Sequence, residues 1–208
     1  STSESMLTIG TQKAIPKTKN SKNFRPIIRQ CTHELKERIL KKDIINSGFI
    51  SIVSGIEDYF SKIIEMILLF DNRRIKINIK GNESKSSIEL NDVIDLTKEE
   101  LINKVINDRI YSFTYASPKE QKIYFKNALS IDIEDSLWAK WVEIKARRDL
   151  WIHNNGIIDE KYNYKTNNAL GTKIGEEALI TSEYFSEIVA STKTLSGQIY
   201  SLIKKEFK

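Results

Sequence analysis

The chain is short of the residues that break or cross-link structure. Three prolines and eight glycines in 208 residues leave little material for a loop-rich sandwich and favour long regular elements. A single cysteine, Cys31, excludes an internal disulfide and has no companion at metal-ligand spacing, so it reads as a small apolar helix residue. There are only two histidines, His33 and His153, and neither sits in an HxxxH, HExxH or DxD pattern. No Gly-rich phosphate loop and no serine in a nucleophile elbow appear, which sets aside the ordinary nucleoside-triphosphatase, kinase and hydrolase readings. No run of 18 apolar residues and no secretory signature is present, so the expected setting is cytoplasmic, with no membrane partner.

Charge is unevenly spread. The net charge is +5, and residues 1 to 30 account for all of it, with Lys13, Lys17, Lys19, Lys22, Arg25 and Arg29 against Glu4; the remainder has 27 basic and 27 acidic residues. Residues 1–23 are polar and aperiodic, and are expected to form a flexible basic lead. A single domain is expected over 24–208.

From Pro26 the spacing of Ile27, Ile28, Cys31, Leu35, Ile39, Leu40 and Ile44 predicts a helix that ends at Asn46-Ser47-Gly48. Residues 49–70 are apolar on most sides, with Glu57, Asp58, Lys62 and Glu65 as exceptions, and predict a helix buried on several sides. Residues 73–96 break the pattern. The alternation in IKINIK, the turn residues GNESKSS and the weakly strand-like IELNDVIDL read as an insertion with hairpin character. Helices resume at two capping boxes, Thr97-Lys98-Glu99-Glu100 and Ser117-Pro118-Lys119-Glu120. The segment from Asp132 to Gly156 is acidic at its start, basic near its end and closed by glycine, as the helix dipole and C-terminal stop require. Residues 157–180 read as an irregular connection, and 181–207 as a final amphipathic helix. The expected fold is an all-α antiparallel helical bundle with one small insertion.

The chemistry concentrates at the end of the Asp132–Gly156 helix, in the ten residues RRDLWIHNNG. Arg148 and His153 are five positions apart, roughly 7.5 Å of rise and about 140° of rotation, so they do not stack but can border one groove. Asp149 precedes His153 by one turn and can orient it. The helix C-terminus and Asp149 both favour the imidazolium. Arg147 and Arg148 offer permanently charged planar donors for a phosphate. The set suits metal-free phosphate binding with proton transfer, but an arginine- and histidine-capped helix end reads the same way. Trp138, Trp141 and Trp151 lie on the same helix and fit either core packing or base stacking, the former being the commoner use.

The stretch Arg147–Tyr162 resembles the signature of HEPN-domain proteins (higher eukaryotes and prokaryotes nucleotide-binding): an arginine, here Arg148, a polar neighbour, here Asp149, a short spacer and a histidine, here His153. The continuation HNNGIID, the SGIEDYF segment with Glu57 and the GTKIGEEALITSEYF stretch are similar to the branch associated with bacterial RNA ligase and phosphatase systems. The resemblance implies a HEPN-like bundle and a metal-independent endoribonuclease without a cofactor, a toxin or anti-phage effector acting as a homodimer whose two motifs face each other. His153 would activate a ribose 2'-hydroxyl or protonate the leaving oxygen, Arg148 would stabilise the phosphorane, and Asp149 would support the pair. Arg147 and Asn154 would contact the RNA substrate, and an antitoxin or other regulatory partner is implied. Apart from the resemblance, Glu57 on its apolar helix reads either as a buried acid able to pair with Arg147 or Arg148 of either subunit or as a partly exposed helix position. Some family toxins carry a tyrosine two residues after the histidine; Asn155 stands there, and Tyr162 and Tyr164 do not match the pattern. The alternatives are a non-catalytic HEPN module binding RNA, nucleotide or protein, and a structural dimerisation domain with the motif sealed inside the bundle.

Overall fold

A computed structural model describes residues 21–39, 43–82, 89–168 and 170–207. Most of the basic lead, residues 1–20, therefore lies outside the described residues. Eight α-helices are described, with no strand among the described residues, so the fold is all-α. The chain divides into two compact units, Ser1–Ile44 and Ile45–Lys208.

In the first unit, α1 (Ser21–Arg38) begins five residues before Pro26. It is tied locally by Thr32 Oγ1 donating to the Ile28 carbonyl at 2.7 Å and by Gln30 to Glu34 at 3.0 Å. Its apolar residues Ile28 and Leu35 are exposed.

The second unit holds seven helices: α2 (Ile44–Phe70), which opens one residue earlier, then α3 (Leu90–Asp95), α4 (Lys98–Tyr115), α5 (Pro118–Leu129), α6 (Asp135–His153), α7 (Glu160–Thr166) and α8 (Ser182–Glu206). Asn46-Ser47-Gly48 does not stop a helix, as its composition suggests; it lies within the first turns of α2. Packing overrides propensity here, because a Cβ on Gly48 would meet the Phe185 ring of α8 at 3.3 Å and a larger residue would hold the helices apart. The expected hairpin at 73–96 is also corrected. A 3-10 turn spans Asn72–Lys76, a tight turn closes through Gly81 N–H to the Asn78 carbonyl at 2.9 Å, and α3 follows. The alternating Ile75, Ile77 and Ile79 pack on the core from an irregular segment instead of a ladder, and residues 83–88 lie outside the described residues.

Both capping boxes form. The Thr97 and Ser117 side chains accept from the backbone N–H of Glu100 and Glu120, and those carboxylates accept from the cap residues in return. Between α5 and α6 the chain turns at Ser130, whose φ of 58° is left-handed, and then buries Ile131 and Ile133 while Asp132 between them is exposed.

One core joins α2, α4, α5, α6 and α8. Phe60 of α2 is its centre, with ring centroids 5.0 Å from Phe125, 5.3 Å from Trp141, 6.1 Å from Trp138 and 6.3 Å from Phe113, mostly edge to face. Ile188, Leu195 and Ile199 complete it from α8. Two of the three tryptophans of α6 are thus core residues, and Trp151 is half-buried with its indole N–H on the Ala178 carbonyl at 2.9 Å. No described helix is long and apolar enough to cross a membrane.

A Phe60→Ala protein should lose about 3–5 kcal/mol of stability, because no neighbour can fill the space of a ring enclosed by four other aromatics. Denaturant titration followed by tryptophan fluorescence checks this, and a loss below about 1 kcal/mol would show that the core is not centred there.

Candidate active site

The C-terminal half of α6 is built by two different kinds of burial. On one side, Ala146 and Leu150 join Ile158, Tyr162 and Ala178 in a small second cluster. The connection 157–180 is more ordered than its composition suggests. It contains α7 and an isolated antiparallel bridge between Ile157 and Glu177, flanked by Ile158 N–H to the Glu176 carbonyl at 2.9 Å and Ala178 N–H to the Gly156 carbonyl at 2.8 Å. This fold-back fixes the chain directly after His153.

The helix ends by a specific route. The Leu150 carbonyl accepts from the Asn154 N–H at 2.8 Å and from the Gly156 N–H at 3.0 Å. Asn155 and Gly156 both take positive φ, 50° and 78°. A Cβ on Gly156 would lie 2.7 Å from the Trp151 ring, so both conformation and space demand glycine there. Asn154 donates its side-chain amide to the Ile157 carbonyl at 2.6 Å. Its amide is thereby engaged in the turn, while the residue itself is exposed.

The two adjacent arginines part company. Arg147 is 8 % exposed and points inward, with Nε on Glu143 at 2.7 Å, Nη1 on the Leu179 carbonyl at 3.0 Å, Nη2 near the Tyr162 hydroxyl at 3.4 Å, and its guanidinium 4.0 Å above the Tyr184 ring. All three guanidinium nitrogens of Arg147, expected from the sequence to contact substrate, thus face interior partners. Glu143 also accepts from the hydroxyls of Tyr162 at 2.8 Å and Tyr184 at 2.6 Å. Burial, reinforced by the Glu143 carboxylate, pushes the Tyr162 hydroxyl up to about 12 and holds the Tyr184 hydroxyl above its ordinary range. Both phenols therefore stay protonated donors at neutral pH.

Arg148 turns to the other side. Its Nη2 donates to Glu57 on α2 at 2.5 Å and its Nη1 lies 3.4 Å from Asp149. Glu57 is shared with Lys145 at 2.8 Å, and Asp149 with Lys165 of α7 at 3.0 Å. The result is an alternating charged string, Lys145, Glu57, Arg148, Asp149, Lys165, that crosses three helices with one positive charge in excess. Arg148 is the arginine that meets Glu57, and it does so within one chain.

His153, the last residue of α6, is exposed, as are Asn154 and Asn155. Among the described residues no hydrogen bond joins Asp149 to His153; the carboxylate is taken up by Arg148 and Lys165. The structure thus brings Arg148 and Asp149 together and leaves His153 presented to solvent at the helix end. Lys145 and Lys165 were missed from sequence. Lys145 was legible as the i−3 neighbour of Arg148, whereas Lys165 sits in a helix hidden within an apparently irregular segment. Among the described residues no cluster of three His, Cys, Asp or Glu side chains is placed to hold a metal ion. The motif is thus partly buried at Arg148 and exposed at His153.

No protein-family model, curated protein or solved structure matches this chain.

Two variants test the construction. Glu143→Ala should cost about 3–5 kcal/mol, because Arg147 would be left as a buried unpaired charge with two phenols lacking an acceptor. A Glu143→Ala protein melting within a degree or two of wild type would show that the network contributes little. Gly156→Ala should cost at least about 1–3 kcal/mol from its left-handed backbone alone, and its near-ultraviolet circular dichroism should report a displaced Trp151.

Proposed function

We propose that this protein is a metal-independent endoribonuclease of the HEPN kind, in which His153 moves the proton and Arg148 stabilises the charged phosphorus. The supporting observation is the division of labour at the end of α6: an exposed imidazole on the last helical residue, five positions after an arginine whose guanidinium is held in one orientation by Glu57 and Asp149. Orientation matters because a donor that is already aimed gains most from charge developing in the transition state.

The reaction would start with the ribose 2'-hydroxyl losing its proton to an imidazole while its oxygen bonds to the adjacent phosphorus. The P–O5' bond then breaks, the leaving oxygen takes a proton, and the products are a 2',3'-cyclic phosphate and a 5'-hydroxyl. One step needs a base and the other an acid. A homodimer with two motifs facing each other supplies one histidine for each, and closes with a second wall a site that is an open helix end in a single copy. The dependence on the 2'-hydroxyl selects RNA over DNA. A regulatory partner, such as an antitoxin, would act by covering the exposed helix end; the physiological role would be that of a toxin or anti-phage effector.

A second reading is favoured by one specific observation. The Arg148 side chain is only 15 % exposed and ion-paired, as expected for a non-catalytic module that uses this face to bind RNA, nucleotide or protein. The two readings separate in one assay. Wild-type protein incubated with mixed RNA in EDTA should yield 2',3'-cyclic phosphate ends. Substituting His153 by Ala should slow cleavage by about 10²- to 10⁴-fold, and Arg148→Ala should slow it as well. Equal inactivity of wild type and His153→Ala overturns the nuclease; RNA binding retained by the Arg148→Ala/His153→Ala protein then identifies the binding module.

A further inference from the structure

Lys145 and Arg148 are three positions apart on α6, so their side chains leave the same face, and both converge on one carboxylate. Lys145 Nζ is 2.8 Å from Glu57 Oε1 and Arg148 Nη2 is 2.5 Å from Glu57 Oε2. The pairing is incomplete on the arginine side. Arg148 Nε is buried and finds no hydrogen-bond acceptor among the described residues, although Nε and Nη2 together form the fork with which arginine grips an oxyanion. Glu57 spans one prong of that fork and the lysine, and leaves the other prong empty. A tetrahedral phosphodiester has two non-bridging oxygens at nearly the carboxylate separation and ester oxygens out of that plane, enough acceptors for Nε, Nη2 and Lys145 at once.

We propose that Lys145 and Arg148 form a phosphodiester-binding site whose ligand position is held by the Glu57 carboxylate in the free protein and is vacated when an RNA phosphate enters. The inference rests on the ribonuclease reading only in naming the anion as an RNA phosphate. Glu57 is 26 % exposed, so its carboxylate has water to swing into. Lys145 and Arg148 are each only 15 % exposed, so they need an anion beside them, and the carboxylate can leave only as another anion takes its place in the same cradle. The carboxylate also screens the two cations from stray anions until a strand with several phosphates arrives. Lys145 becomes a substrate-contacting residue that the motif pattern does not contain, and Glu57 a residue that sets the affinity of the site.

The probe is a fully 2'-O-methylated single-stranded RNA, which binds but cannot be cleaved by 2'-oxygen attack, measured by fluorescence anisotropy across a salt series. Glu57→Gln should tighten binding about tenfold by removing the competing charge. Glu65→Gln, an exposed change of the same charge on the same helix, should alter it less than about twofold. Lys145→Met should weaken binding and flatten the dependence of log affinity on log salt by about 0.7, the loss of one phosphate contact to a single strand. Combining Glu57→Gln with Lys145→Met should abolish most of the gain. The inference is overturned if Glu57→Gln binds no tighter than Glu65→Gln, if Lys145→Met leaves affinity and slope unchanged, or if no variant binds the strand. Should Glu57→Gln fail to fold, the Lys145→Met slope decides alone. Cleavage of ordinary RNA by a wild type that fails these binding tests sinks only this inference, whereas the expected binding pattern without cleavage sinks only the nuclease.

Discussion

The buried carboxylate of Glu143 accepts three hydrogen bonds, from Arg147 within α6, from Tyr162 on α7 and from Tyr184 on α8. Without that acceptor, a guanidinium and two phenols would face a low-dielectric interior unpaired, which is the costliest arrangement a core can contain. With it, three helices are fixed around one point, and the rotational setting of α6 is decided. Since neighbouring helical residues are about 100° apart, committing Arg147 to the inside sends Arg148 to the face where α2 presents Glu57.

That setting explains why adjacent, chemically identical side chains have separate roles. Arg147 is spent in the core and Arg148 in the ion pairs with Glu57 and Asp149, although nothing in their local sequence distinguishes them. The same rotation leaves His153 exposed at the helix end, and the fold-back through Ala178 and Gly156 holds the chain beyond it. The candidate site is therefore a surface feature on a rigid base, with its flexible polar residues ordered by backbone hydrogen bonds and by the packing of Gly156 against Trp151.

Much of the helical framework was legible in sequence because it is written in local signals. The Thr97 and Ser117 capping boxes and the glycine stop at 156 each act within a few residues and form as read, whereas the helix over 49–70 is buried along one side and exposes Met66, Leu69 and Phe70 near its end. The misreadings have a common origin. Asn46-Ser47-Gly48 has the composition of a break and 73–96 the alternation of a hairpin, but neither local signal contains the partner surface. A helix against Phe185 needs the small residue that looks like a stop, and an irregular segment can bury alternate isoleucines as readily as a strand.

By itself the sequence determined the all-α class, the capped starts of α4 and α5, and the concentration of arginine, aspartate and histidine at the end of one helix. These follow from capping, periodicity and the helix dipole, which are short-range effects. Only the tertiary structure decided which arginine is spent in the core, which carboxylate meets the other, and that Asp149 faces Lys165 and Arg148 instead of His153. Those choices depend on residues up to 91 positions apart in the chain, brought together by a common core, and no local pattern encodes them.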